Sequence, residues 1–214
     1  MKHDPARRRL LAGFAGLIAA NSSLAKAMPL TPSQTAGPFY PLQPPLDDDN
    51  DLTRVQGRTG VARGRITDLS GRILDADGRP LRNARVEIWQ CDASGRYHHP
   101  HDSGPTPDPN FQGFGHSLSD TQGRYRFRTI RPVPYPGRTP HIHMAVFLPG
   151  ETPFVTQLYV ADEPRNPSDF LFMHLRPEQR ERVVADFLPA GPGGAELSAR
   201  FDIVLAGGRV TPRM

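Results

Sequence analysis

Proline and glycine interrupt this chain more often than a long helix tolerates. The sequence spreads 24 prolines and 20 glycines through 214 residues, and no long stretch keeps a helical apolar period. Short strands joined by turns are what remains, so the fold class is mainly β, and a chain of this length fills a single core. Strand-like runs are expected near residues 60–68, 84–91, 124–129, 141–148, 154–160 and 200–206. Between them lie the turn pairs Asp77-Gly78, Ser94-Gly95, Gln122-Gly123 and Pro149-Gly150. Strands at this spacing predict one β-sandwich domain with long loops and a short helix over residues 177–187, where Pro177 suits a helix start. The segment from Met28 to about Asp51 is rich in Pro, Thr, Gln and Asp and reads as extended coil draped over the domain.

Composition narrows the chemistry. Cys91 is the lone cysteine, which excludes an internal disulfide, a cysteine-ligated zinc and an iron–sulfur cluster, so any metal must use N and O donors. Five cations in the first 27 residues (Lys2, Arg7, Arg8, Arg9 and Lys26), opposed by Asp4, account for the whole net charge of +4. The remainder is balanced, which argues against a nucleic-acid partner. Those same residues have the order of an export leader: Arg7-Arg8-Arg9-Leu10-Leu11, an apolar stretch to about Ala20, then Ala25-Lys26-Ala27 as a cleavage site. Residues 1–27 are therefore expected to be a signal peptide resembling the twin-arginine (Tat) type, delivering residues 28–214 to the periplasm or medium with no stable membrane association after cleavage.

His141-Ile142-His143 lies in a strand-like run, where side chains two apart share a face and can reach one metal. Such a pair alone is as compatible with a structural role. Just upstream, Pro134-Tyr135-Pro136 places a tyrosine on a rigid turn, and a hard ferric ion would recruit such a phenol as phenolate, which zinc or copper would not need. His98, His99 and His101 form a second cluster in a Pro/Gly/Asp-rich loop, where histidines are usually solvated.

The run from Leu69 through Gly71, Gly78, Leu81 and Val86-Glu87-Ile88-Trp89-Gln90 to Gly95-Arg96-Tyr97 resembles the signature of the intradiol ring-cleavage dioxygenases. The likeness continues through Asp108-Pro-Asn-Phe111, Thr129-Ile-Arg-Pro-Val-Pro-Tyr135, Arg138-Thr-Pro-His-Ile-His143, Thr156-Gln-Leu-Tyr159 and Arg200-Phe-Asp-Ile-Val-Leu205. Within that family it resembles the iron-bearing β-subunit type of protocatechuate 3,4-dioxygenase. The resemblance implies an Fe(3+) site with Tyr97 and His141 as equatorial and Tyr135 and His143 as axial ligands. It implies a catechol-type substrate cleaved with O2 to a cis,cis-muconate-type diacid, and is compatible with a homo-oligomer. Tyr135 would also be catalytic, as the ligand that leaves, with Arg138 facing the bound ring and Gln157 lining the cavity. Thr35, Gly37 and Pro38 match a stretch that walls the substrate pocket in the iron-free α subunit. One departure stands out: five residues separate Tyr135 from His141, fewer than in the relatives, so substrate identity does not carry over. The Gly71-to-Trp89 pattern also occurs in transthyretin-like and carboxypeptidase-regulatory sandwiches that do no chemistry; the tyrosines and histidines together speak against that reading.

Overall fold

A computed structural model describes residues 27–43, 47–192 and 194–207. The expected leader falls, except for Ala27, outside them. Two five-stranded sheets share one core. In the first sheet, β1 (Ile66–Asp75) pairs antiparallel with β4 (Arg124–Ile130) on one side and parallel with β9 (Leu197–Arg200) and β10 (Ile203–Leu205) on the other. β8 (Phe187–Pro189) extends it beyond β9. The second sheet runs in the order β3 (Phe114–Leu118), β2 (Arg85–Trp89), β5 (His141–Phe147), β6 (Phe154–Val160) and β7 (Val184–Ala185). Among the described residues the helical content is a 3-10 turn, Asn166–Ser168, with α1 (Phe170–His174) and α2 (Pro177–Arg180).

The sandwich follows from period-two patterning. β4 buries Tyr125 and Phe127 and points Arg124 and Arg126 to water, so the outer face of the first sheet is solvated. Val86, Ile88, Ile142, Met144 and Leu158 meet Leu69, Ile73 and Phe127 in the shared core, each such side chain contributing about 1.5–3 kcal/mol of apolar burial. The second sheet is different: β5 is buried at every position up to Val146, so its outer face must be covered as well. That cover is made of loops. Ala36, Phe39, Tyr40, Val133 and Tyr135 pack on Trp89, Tyr97, Phe114 and Ala145, while Phe172, Leu175 and Val183 pack on Tyr159. The extended segment expected to drape over the domain does so: Thr31 N–H donates to Val204 O at 2.9 Å, Gln34 N–H to Val155 O at 2.8 Å, and the Thr156 hydroxyl to Pro32 O at 2.9 Å.

Several sequence expectations need correction. The first strand starts at Ile66, not Gly60, because Gly60 and Gly64 precede it and Gly64 has a φ of +109° that breaks an extended run. The helix expected over 177–187 stops at Arg180, since Val183 and Val184 turn into the pairing of β7 with β6. Phe114–Leu118 and Phe170–His174 were not anticipated.

Candidate metal centre

The outer face of the second sheet holds the expected donors. His141 and His143 alternate with Ile142, so both imidazoles leave the core on one side, and their Nε2 atoms approach to 3.2 Å. His141 Nδ1 lies 2.7 Å from the Thr139 carbonyl. A carbonyl only accepts, so Nδ1 carries the hydrogen and the lone pair on Nε2 faces the shared centre. His143 is held differently: its ring lies parallel to the Trp89 indole, 4.9 Å away at 5°, and its Nδ1 has no hydrogen-bond partner.

Both tyrosines arrive on turns. Asp92 builds the first, with Oδ1 accepting from Ser94 N–H (2.7 Å) and Arg96 N–H (3.0 Å) while Oδ2 accepts from Asp108 N–H (2.7 Å). Asp102 then accepts from Tyr97 N–H at 2.7 Å and pairs with Arg96. The second turn is Tyr135-Pro136-Gly137-Arg138, closed by Arg138 N–H donating to Tyr135 O at 2.9 Å, with Gly137 at φ +79°. Proline then glycine at the central positions is what a type II turn requires. It explains how a five-residue connection returns Tyr135 to the histidines: the Tyr135 and His141 ring centroids are 5.5 Å apart. The two turns touch at Gly95, where a Cβ would sit 3.1 Å from Pro134 O and 3.4 Å from Tyr135 Cβ. Tyr97 and Tyr135 consequently meet edge to face at 5.5 Å.

Arg138 faces this cluster. Its NH1 donates to the Tyr135 hydroxyl at 3.3 Å, NH2 to Gln157 Oε1 at 2.6 Å, and Nε to Asp169 Oδ2 at 2.8 Å. Gln157 is fully buried; it also accepts from the Tyr159 hydroxyl and donates to Thr35 O at 3.0 Å, so it braces Arg138 and the covering segment together. Over the donors lies Thr35–Phe39. Phe39 stacks on Tyr97 at 4.5 Å, and a Cβ on Gly37 would come within 3.3 Å of His143 Cε1, while Pro38 and Thr35 lie at the surface.

Burial controls the protons. It pushes the Tyr97 phenol well above its ordinary value, with Cys91 and Tyr135 adding to the effect. Tyr135 is raised less, because Arg138 opposes its burial. Burial, reinforced by Arg138, brings His141 down to about 3; burial and then His141 and Arg138 drive His143 well below its usual range. The donors are thus two neutral imidazoles and two phenols that keep their protons unless a strong cation displaces them. The Tyr97 hydroxyl is buried with no hydrogen-bond partner, a costly arrangement that a metal bond would relieve. Two oxygens that ionise on binding plus two imidazole nitrogens suit a hard trivalent ion.

The other histidine cluster does not converge. His98 Nε2 turns to Asp108 O at 3.0 Å and His99 Nδ1 accepts from His101 N–H at 3.2 Å. His99 is buried beside the Phe39 ring rather than solvated, a difference that the loop composition did not reveal. Among the described residues no group of three His, Cys, Asp or Glu side chains is placed to hold a metal, so the tyrosines are indispensable to any such site. Asp169, absent from the expected site, is its main unforeseen member. Its signal was local: an Asp directly before Phe170-Leu171-Phe172 is a helix N-cap, and its Oδ1 does cap Leu171 and Phe172 N–H at 3.0 Å.

Comparison with known proteins meets this geometry. A family model described as dioxygenase matches residues 35–207. The chain is 40% identical over 176 residues to the protocatechuate 3,4-dioxygenase beta chain of Burkholderia cepacia, covering 77% of this chain and 74% of that protein. It is 29% identical over 208 residues to a hydroxyquinol 1,2-dioxygenase of Corynebacterium glutamicum, covering 83% of this chain but 64% of that enzyme's length. The dioxygenase domain of a dioxygenase carbohydrate-binding protein fusion from Streptomyces sp. SirexAA-E superposes with a TM-score of 0.62 at 32% identity, over 83% of this chain and 98% of that one. An intradiol ring-cleavage dioxygenase from Tetranychus urticae shares the fold, with a TM-score of 0.66 at 21% identity over 83% and 94% of the two chains. The family match begins at Thr35, whose carbonyl anchors Gln157, and runs through both tyrosine turns and the β5 histidines to the end of the described residues; the chain belongs to the intradiol ring-cleavage dioxygenase family.

Proposed function

We propose that this protein is an Fe(III)-dependent dioxygenase that opens a catechol-type ring between its two hydroxyl-bearing carbons, consuming O2 and releasing a cis,cis-muconate-type diacid. The observation that carries the reading is the convergence of Tyr97, Tyr135, His141 and His143, with the paired Nε2 atoms 3.2 Å apart and the Tyr97 hydroxyl buried without a partner. Those four side chains would hold the ion. Ferric iron, when bound, would supply Lewis acidity and one-electron redox chemistry toward a catechol-type substrate.

The remaining tasks fall to this chain's own groups. Tyr135 sits on a turn and already shares its hydroxyl with Arg138, so it is the phenol that gives way to substrate and takes a catechol proton. Tyr97, buried and tied through its backbone to Asp102, stays in place. Arg138 stabilises negative charge on the ring oxygens. Thr35, Gly37 and Pro38 belong to the segment covering the donors and would wall the substrate from that side, and Phe39 limits water over Tyr97. A visible spectrum of iron-loaded protein, followed by a panel of catechols with O2 uptake, tests this. A tyrosinate-to-iron band, one O2 per ring and a colourless diacid are expected; a colourless zinc protein or a yellow semialdehyde product would sink the assignment.

We further propose Tat export through residues 1–27, on the strength of Arg7-Arg8-Arg9 ahead of the apolar stretch. Changing all three to lysine should leave folded, iron-bearing protein in the cytoplasm, whereas unchanged export would indicate the general Sec route.

A further inference from the structure

Asp169 has a fully buried carboxylate, and each of its oxygens accepts twice. Oδ2 takes Arg138 Nε–H at 2.8 Å and Thr139 N–H at 2.9 Å; Oδ1 takes Leu171 and Phe172 N–H, both at 3.0 Å. The Arg138 side chain is only 9% exposed, and among the described residues Asp169 is the one carboxylate that pairs with it. We propose that Asp169 is a positioning residue of the reaction: through its ion pair it fixes the plane of the Arg138 guanidinium, and with it the edge presented to Tyr135 and the substrate. The inference rests on the function proposed above.

The argument is geometric. A guanidinium is a planar fork, and here its Nε, NH1 and NH2 each meet a different partner, Asp169, Tyr135 and Gln157. Gln157 is neutral, and Tyr135 is the group proposed to leave, so only the Asp169 contact is both charged and permanent. Asp169 is itself immovable. It starts α1, and Asn166 three residues earlier accepts from the Thr139 hydroxyl at 2.8 Å and donates to Val160 O at 2.9 Å. Thr139 is held by Asp169 on its N–H while its carbonyl orients His141. One carboxylate thereby ties the substrate-facing arginine, the backbone behind a metal-binding histidine and the start of a helix into one rigid unit. A charged guanidinium near a metal cation also needs a compensating anion, which Asp169 supplies.

The test is Asp169→Asn, which keeps an oxygen for the α1 cap but turns an NH2 group toward two donors. In the iron-loaded enzyme kcat should fall about 10- to 100-fold with iron content unchanged, the scale of a modest misplacement of a catalytic group. Arg138→Gln should lower kcat too, and the double variant should lose no more than Arg138→Gln alone, because Asp169 acts through Arg138. A second readout needs no turnover: in iron-free, 15N-labelled protein the Arg138 Nε–H signal should exchange slowly in the parent and be lost or exchange fast in Asp169→Asn. If Asp169→Asn does not fold, Asp169→Ser retains a capping hydroxyl without the charge and should give the same pattern. Additive losses in the double variant, or an Arg138 signal unaffected by the substitution, overturn the inference and leave Asp169 as a helix cap. Should the parent cleave no catechol, the proposed function fails, while the Nε–H measurement still decides whether Asp169 holds Arg138.

Discussion

The two pairs of donors reach the same centre by opposite means. His141 and His143 are consecutive outward positions of β5, a strand paired on both sides with β2 and β6, so ladder register fixes them. Tyr97 and Tyr135 stand on turns built by Asp92 and by Pro136-Gly137, and the turns brace each other at Gly95. The contrast teaches a division of labour. The histidines, as neutral imidazoles, stand on the rigid strand; the phenols, which keep their protons unless a strong cation displaces them, stand on turns, Tyr97 fixed by Asp102 and Tyr135 sharing its hydroxyl with Arg138.

Acid is the largest lever on this contrast, because it acts on the scaffold pair. Burial lowers His141 to about 3 and His143 well below its usual range, whereas unfolded histidines titrate near 6.5. Between those values the unfolded chain binds more protons than the folded one. Stability of the iron-free protein should therefore be full above pH 6.5 and fall as pH drops toward 3, by about 1.4 kcal/mol per pH unit for each histidine. Denaturant midpoints at pH 7, 6 and 5 check this; a flat series would mean that the pair is not held neutral. Replacing Tyr135 by Phe acts on the turn-borne pair and should cost turnover about 10²-fold or more while iron and catechol still bind. Vibrational spectra of the catechol complex should keep a tyrosinate signal in that variant. Its loss there, with persistence in Tyr97→Phe, would reverse the two roles.

The smallest effects compare the two turns. Gly95→Ala combines a φ of +76° with a contact at 3.1 Å to Pro134 O, and should destabilise by about 1–3 kcal/mol. Gly137→Ala has the same backbone problem, φ +79°, but nothing within 4 Å, and should cost about 1 kcal/mol. Melting temperatures of the two variants decide; equal losses would show that the turns do not brace each other.

What the sequence made legible follows the same division. β5 and β6 were readable as mostly apolar, strand-like runs with the Pro149-Gly150 turn pair between them, and all four expected turn pairs do form turns. The donors came from short motifs and from family likeness. β3 escaped because Phe-Gly-His-Ser-Leu has no alternation and is extended only by pairing with β2. Asp169 was legible only as a helix cap; its pairing with Arg138 spans 31 residues, a distance that no local pattern encodes. Gln157 was read as a cavity residue, yet its amide is taken up by Arg138, Tyr159 and the Thr35 carbonyl, a fact of packing rather than of motif.

Trp89 is the single tryptophan of the chain, and its indole lies parallel to the His143 ring at 4.9 Å. The protein therefore carries a fluorophore with one address. Its ultraviolet emission has no competing background from other indoles, and a paramagnetic ion held by His143 would darken it. Occupancy of the centre can thus be followed in unlabelled protein, at concentrations far below those needed to see colour, with the lamp set to indole excitation.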